Sequence, residues 1–309
     1  MNPLVSVIIP SWNQGRFLAE TLDSVFAQDY APLEVLVFDG ASKDETVEVL
    51  QRYDGRPGFW WKSEPDRGVV DAVNQGLAKA TGEYCVILSS DDCFLPGAVR
   101  AAVAALRADP ALGLVYADAE YIDAASRVTG RTRVAGYSLE ALLSRRTFIM
   151  QPSAFFRTQL ARDVGGWRPE VSYVADNDLW LRMALAAPFA RVPGAWSRYR
   201  LHEAQRDTQA ERIAREWRAA VEALLPRLPG KLRRAACLGC LLTEHRYGLH
   251  RPWPERTRLL YRAAALDPRC VLWDDFPRVE LLMPLRVALS KCKRALLRLL
   301  GRPLPATAR

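Results

Sequence analysis

Glu83-Tyr-Cys-Val-Ile-Leu-Ser-Ser-Asp91-Asp92 decides how the fold is read. Val86, Ile87 and Leu88 form an apolar run without polar alternation, the pattern of a strand buried on both faces of a parallel sheet. Two serines and then two adjacent carboxylates end it. Neighbouring carboxylates repel unless a cation neutralises them, and the carboxyl ends of strands in open α/β sheets are where ligands bind. Oxygen ligands from Asp91 and Asp92 suit Mg²⁺ or Mn²⁺, ions that usually keep ligand phosphates in the same coordination sphere. The pair also fits a helix N-terminus, because Phe94-Leu-Pro-Gly and an alanine-rich helix follow.

Working back from this strand, the pattern repeats. Leu4-Val-Ser-Val-Ile-Ile-Pro10 is a short apolar strand stopped by proline, and a helix is expected from about Arg16 to Gln28. Leu33-Glu-Val-Leu-Val-Phe-Asp39 is a second buried strand, followed by a helix over Thr46 to Tyr53. Phe59 to Ser63 reads as a third strand. The loop Glu64-Pro-Asp66-Arg67-Gly68 then leads into a helix carrying Asp71, Asn74 and Gly76. This β-α-β-α alternation predicts an α/β fold with a doubly wound, mostly parallel, Rossmann-like sheet.

Asn13 follows the first strand, Asp39 ends the second, and Asp91 and Asp92 follow the fourth. Polar groups at several strand ends on one sheet edge describe a pocket. Trp12 could stack on a base there or pack in the core. The turn from Pro10 to Gly15 lacks G-x-G-x-x-G, and no P-loop occurs anywhere, so phosphates must be held mainly through a metal.

In order and spacing, residues 4–105 resemble the inverting family 2 glycosyltransferases, which have the GT-A fold. The pieces are Val5-Ser-Val-Ile-Ile-Pro-Ser-Trp-Asn13, Glu34-Val-Leu-Val-Phe-Asp-Gly-Ala-Ser-Lys-Asp44, Ser63-Glu-Pro-Asp-Arg-Gly68, Asp71-Ala-Val-Asn-Gln-Gly76, Ala80-Thr-Gly-Glu83 and Ser89-Ser-Asp-Asp92. The resemblance implies that Asp39 hydrogen-bonds the nucleotide base and that Pro10 and Trp12 border it. It adds Asn13, Asp66, Arg67, Asp71, Asn74 and Asp91 to the nucleotide-sugar site. The Asp91-Asp92 pair corresponds to the metal motif written DxD, with Ser90 in its first position and Asp92 as the expected direct ligand of Mn²⁺ or Mg²⁺. Two departures stand out. Asp39-Gly-Ala-Ser42 replaces the common Asp-Asp-Gly-Ser, and Val73-Asn74 replaces Arg-Asn, which removes a phosphate-facing cation that Arg67 or a later basic residue would have to replace.

Further along, Leu114 to Asp118 reads as a strand, Arg127 to Val134 as a polar connection, and Phe148 to Phe156 as an acceptor-side strand. In Tyr173-Val-Ala-Asp176-Asn177-Asp178-Leu-Trp-Leu-Arg182, both acidic residues could simply cap a helix. The resemblance implies that Asp176 is the catalytic base, although Ala175 stands where a Glu is common. Family members often carry Arg-x-His near the diphosphate, which marks His202 as a metal or diphosphate contact and Arg200 as a weaker one.

The expected organisation is a glycosyltransferase domain over 1–207, with a nucleotide-sugar half at 1–105 and an acceptor half at 106–207. A basic α-helical region at 208–309 follows, with helices near 208–225, 231–247, 254–266 and 282–300. Of the overall +8 charge, residues 210–309 carry about +12, with 21 Lys and Arg against 9 Asp and Glu. The amphipathic, basic stretch 282–300 is expected to meet an anionic membrane surface. No recognised motif points to nucleic acid. The six cysteines show no zinc spacing, and the lone Cys237-Leu-Gly-Cys240 on a predicted helix is read as packing. Neither a signal-peptide pattern nor an apolar run of membrane-spanning length is found, so a cytoplasmic protein, peripheral at the inner face of the membrane, is expected.

The function expected from the resemblance is inverting transfer of a sugar from a nucleotide-diphosphate donor, UDP favoured, to a hydroxyl of a glycan or lipid-linked precursor in cell-surface polysaccharide synthesis. A processive synthase would need membrane spans and a Gln-x-x-Arg-Trp motif, and the sequence has neither. A sugar nucleotidyltransferase is an alternative, but its glycine-rich, Arg-containing first loop is missing. A catalytically degenerate, membrane-docked scaffold is the non-enzyme alternative, kept open by Ala175 and Val73.

Overall fold

A computed structural model of the chain describes residues 2–203, 209–274, 276–285 and 288–289. The chain opens with four βα repeats: β1 (Val5–Ser11), α1 (Gly15–Phe26), β2 (Leu33–Asp39), α2 (Thr46–Gln51), β3 (Phe59–Ser63), α3 (Val69–Lys79) and β4 (Tyr84–Ile87). Short β5 (Cys93–Phe94) and α4 (Ala98–Ala108) complete the fourth. The second half holds β6 (Leu114–Ile122), β7 (Val128–Arg131), α5 (Leu139–Leu143), β8 (Ala154–Arg157), α6 (Thr158–Asp163), α7 (Ala175–Ala184) and β9 (Phe189–Arg200). Four helices follow: α8 (Ala210–Leu224), α9 (Gly230–Tyr247), α10 (Trp253–Leu266) and α11 (Arg278–Leu281).

One sheet runs in the order β3-β2-β1-β4-β8-β6-β9-β5, with β7 paired to β6. The first four strands are parallel, as the alternation predicts, and the sheet turns mixed where β8 joins β4 antiparallel. The expected connection at Arg127 to Val134 contains the edge strand β7. The expected strand over Phe148 to Phe156 begins instead as a 3-10 turn at Gln151–Ser153, with proline in its first turn, before β8 starts.

Both faces of the parallel half are covered, which explains the missing alternation. Val5, Val7 and Ile9 face a core built with Leu18 and Leu22 of α1 and Val99 and Leu106 of α4. Ile8, Leu36 and Ile87 face the other core, with Val73 and Leu77 of α3 and Trp180 of α7. Gly76 lets α3 lie against β1, because a Cβ there would collide with the Ile8 side chain. That second core continues through Trp217, Val221 and Ala236, so α8 and α9 pack onto the α/β part of the chain rather than standing apart. A smaller core of Leu241, Leu260 and Cys270 joins α9 to α10. The amphipathic stretch expected at 282–300 lies largely outside the described residues.

Strand direction sets where the site sits. Parallel β1 to β4 deliver their carboxyl ends to one sheet edge. Antiparallel β8 starts at that edge, and β6 and β9, which run parallel to each other, end there at Ile122 and Arg200. β9 begins at the opposite edge just after α7, so α7 runs away from the site edge and its first turn, with Asp176, lies toward it.

Candidate active site

The end of β2 is stiffened around a buried carboxylate. Asp39 is 2% exposed; it accepts the Ser42 backbone N–H at 2.9 Å and the Ser63 hydroxyl at 2.6 Å, and the Ser42 hydroxyl as well. Ser42 and Ser63 carried no signal as partners of Asp39 in the sequence. The Asp66 carboxylate lies over the same turn, because a Cβ on Gly40 would sit 3.2 Å from both of its oxygens. Its Oδ1 also accepts the Gly68 N–H at 2.7 Å.

The β1 and β2 loops are laced together through Asn13, which takes a positive φ of 52°. Its N–H donates to Ser42 Oγ at 2.7 Å, and its side-chain oxygen accepts the Lys43 N–H at 2.8 Å. Beside it Trp12 is 66% exposed, so it presents an open ring rather than packing in the core. Pro10 is buried in β1 opposite Phe38.

The two carboxylates of the acidic pair point to different partners. Asp92 turns inward: it is 1% exposed and its Oδ1 accepts the Arg200 backbone N–H at 2.9 Å. Asp91 faces His202 instead, with Oδ2 2.9 Å from Nε2. The His202 ring lies 5.1 Å from that of Phe17. An open pocket of about 660 Å³ adjoins this pair, bordered by Asn13, Arg16, Phe17, Arg127 and His202.

Arg200, the weaker of the two expected diphosphate contacts, is fully buried and its guanidinium is engaged within the protein. It donates to the Asp91 carbonyl at 2.7 Å, the Asp123 carbonyl at 3.1 Å and Ser126 Oγ at 2.8 Å, and lies 2.7 Å from Glu20. One buried cation thereby fixes the backbone of the acidic pair and the loop at the pocket mouth.

Three other residues expected at the donor site are paired within the protein. The Asn74 amide pairs with the Trp167 backbone, donating to its carbonyl and accepting its N–H, both at 2.8 Å. Arg67 and Asp71 pair with each other at 3.4 Å, and the Arg67 backbone N–H together with its guanidinium holds the Asp71 carboxyl below the ordinary carboxylate value.

On the acceptor side, Gln151 donates to Ser89 Oγ at 3.2 Å, tying the 3-10 turn to the end of β4. Asp176 lies in the first turn of α7, half-buried, and its Oδ1 accepts from the Asn177 amide at 2.9 Å. Asn177 in turn accepts from Arg145 at 3.0 Å. Arg145 takes a positive φ of 62°, stacks 4.6 Å from the Trp217 ring centre, and is pushed below its ordinary value by burial. Neither Arg145 nor Gln151 carried a signal as a site residue in the sequence. Asp178 does structural work: fully buried, it is held by Arg168 and by Arg182, whose Nε donates at 2.9 Å.

The Asp91 and His202 donor atoms are close enough to share one cation. Among the described residues no group of three or more His, Cys, Asp or Glu gathers to hold a metal. One carboxylate and one imidazole, completed by phosphate oxygens and water, fit Mn²⁺ better than the oxygen-seeking Mg²⁺.

Residues 6–162, half of the chain, match the model of glycosyl transferase family 2, and the chain belongs to that family. It is 36% identical over 189 residues to a Mycobacterium tuberculosis glycosyltransferase of uncharacterised specificity, covering 59% of this chain and 70% of that one. Escherichia coli chondroitin synthase is 28% identical over 192 residues, which is 62% of this chain and 28% of that larger protein. Among solved structures, S. aureus TarS bound to UDP-GlcNAc superposes with a TM-score of 0.62 at 16% identity, over 91% of each chain. The mannosyltransferase PcManGT of Pyrobaculum calidifontis, in complex with GDP-Man and Mn²⁺, superposes with a TM-score of 0.62 at 22% identity, over 96% of this chain and 83% of that one. The fold is GT-A-like, and the protein is a glycosyltransferase. Among the described residues no helix is long and apolar enough to cross a membrane.

Proposed function

We propose that this glycosyltransferase inverts the anomeric centre, moving a sugar from a nucleotide-diphosphate donor to a hydroxyl of a glycan or lipid-linked acceptor. The observation that carries the proposal is the Asp91–His202 pair at 2.9 Å, on the sheet edge toward which Asp39 and Asp176 also lie. TarS with UDP-GlcNAc and PcManGT with GDP-Man support a nucleotide sugar as donor, and the family resemblance favours UDP as its nucleotide. Chondroitin synthase and a PGL/p-HBAD biosynthesis glycosyltransferase of Mycobacterium bovis, 30% identical over 182 residues, support a glycan or lipid acceptor in surface-polysaccharide synthesis.

In this reading Asp39 holds the base, Trp12 offers it a stacking face, and the loops laced by Asn13 and Asp66 border the nucleotide. Asp91 and His202 would hold a divalent ion, which supplies charge neutralisation for the diphosphate leaving group. Asp176 accepts the proton of the acceptor hydroxyl as that oxygen bonds to the anomeric carbon. The bond from that carbon to the diphosphate oxygen breaks on the opposite face, and the nucleoside diphosphate leaves with the electron pair. A single displacement inverts the centre and needs no protein nucleophile. Asn177 and Arg145 keep Asp176 in place, with Arg145 a positioning residue acting through Asn177.

Peripheral contact with an anionic membrane belongs to the same proposal. Leu282, Leu285 and Leu289 are 52%, 58% and 61% exposed, an apolar row entering the basic C-terminal stretch. Asp176→Asn tests the chemistry: turnover should fall about a hundredfold or more while donor binding stays. Undiminished turnover would remove Asp176 as the base.

A further inference from the structure

A second cavity, of about 350 Å³, opens where α5 and α9 meet the turn after α10, and it shares no lining residue with the donor pocket. Arg146, Lys231, Arg234 and Arg269 line it, opposed by only Glu140 and Asp267. Both carboxylates are already engaged. Lys231 Nζ lies 2.7 Å from Glu140, and the Arg269 guanidinium lies 2.7 Å from Asp267. Arg146 and Arg234 therefore face the same space with no carboxylate in ion-pair reach among the described residues.

α9 adds to the positive field. Lys231, Arg234, Ala235 and Leu238 lie on one face of its first turns, the face that lines the cavity. This 18-residue helix has no acidic residue in its first turn and no capping side chain, so its N-terminal dipole is left unneutralised. Trp273 forms another part of the wall, with the Arg146 guanidinium 5.8 Å from its ring centre.

We propose that this cavity binds a phosphate ester, with the phosphate held by Arg146 and Arg234 and the organic part laid on Trp273. Guanidinium forks match phosphate oxygens bidentately, and the indole gives an attached ring or chain an apolar face. Arg145, next in the chain to the cavity-lining Arg146, reaches Asn177 beside Asp176. The site stands independently of the donor reading, and either can fail without the other.

Two probes separate the sources of such a group: glucose 1-phosphate for a free ester, and vesicles of phosphatidic acid in phosphatidylcholine for a lipid headgroup. Both are measured on the full chain in EDTA, which keeps divalent metal out of the donor pocket. At least one probe should bind, and Arg146→Gln with Arg234→Gln should weaken it about tenfold or more. Arg146→Lys with Arg234→Lys should weaken it less, an order that a folding defect would not produce. Trp273→Ala should weaken glucose 1-phosphate but leave inorganic phosphate unchanged. Binding of neither probe to the wild type, or binding that survives the Gln pair, overturns the proposal.

Discussion

At the level of single side chains, two carboxylates of one sequence type have opposite work. Asp91 and Asp92 are adjacent, but the first faces an imidazole and the second a buried backbone N–H. Asp176 and Asp178 divide in the same way: Asp178 is fully buried between Arg168 and Arg182. Replacing it with Asn leaves two guanidiniums without their counter-charge, and breaking a buried pair costs about 3–5 kcal/mol. Urea unfolding of Asp178→Asn should show a loss of that order, and a loss near zero would refute the structural role. Asp39→Ala strips the Ser42 N–H and the Ser63 hydroxyl of their acceptor. Stability should fall by about 1–3 kcal/mol, and isothermal titration should show weakened nucleotide binding.

Elements are held to one another by a few polar clasps that periodicity does not announce. Asn74 on α3 closes on the Trp167 backbone, and Gly166 beside it takes a φ of +63°, where a Cβ would sit 2.5 Å from the Asn74 oxygen. Asn74→Ala should lower the melting temperature while leaving the donor KM nearly unchanged. A large KM increase without loss of stability would restore Asn74 as a donor contact.

The clasp between α9 and α11 is His245, 3.0 Å from Glu280. Burial holds the His245 imidazole below its ordinary value, with Glu280 pulling the other way but less strongly. The unfolded chain then takes up this proton at a higher pH than the folded chain does. His245 therefore costs no stability above its unfolded value of about 6.5 and becomes destabilising as pH falls from there toward the folded value. Melting temperatures recorded between about pH 7.5 and 5.5 should decline with pH, and His245→Gln should flatten that decline. An unchanged slope would show that other groups govern it.

Across the molecule, the parallel half was legible because a strand covered on both faces shows continuous apolar residues, as Val86 to Leu88 do. The carboxylates at strand ends followed from the same strands. Less legible was whatever long-range pairing decides. Nothing local says that Arg200 buries itself under Asp91, that Asn74 closes on Trp167, or that Asp91 rather than Asp92 meets His202. Three of the four expected basic helices, near 208–225, 231–247 and 254–266, were legible as helices, and the fourth, at 282–300, lies largely outside the described residues. That α8 and α9 share the catalytic core depends on Trp217 and Ala236 meeting partners far away in sequence.

The proposed nucleotide-diphosphate site would use a divalent ion held by Asp91 and His202. Its most direct test is a thermal-shift series with UDP, GDP, dTDP and CDP, each with Mn²⁺ or with EDTA. One nucleotide, UDP before the others, should stabilise the wild type only with the metal. At about one hundred times its dissociation constant the gain is about 2.7 kcal/mol, and Asp91→Ala should abolish it. A folded sample that no nucleotide stabilises, or one stabilised equally in EDTA and in Asp91→Ala, would overturn the proposed metal-dependent site.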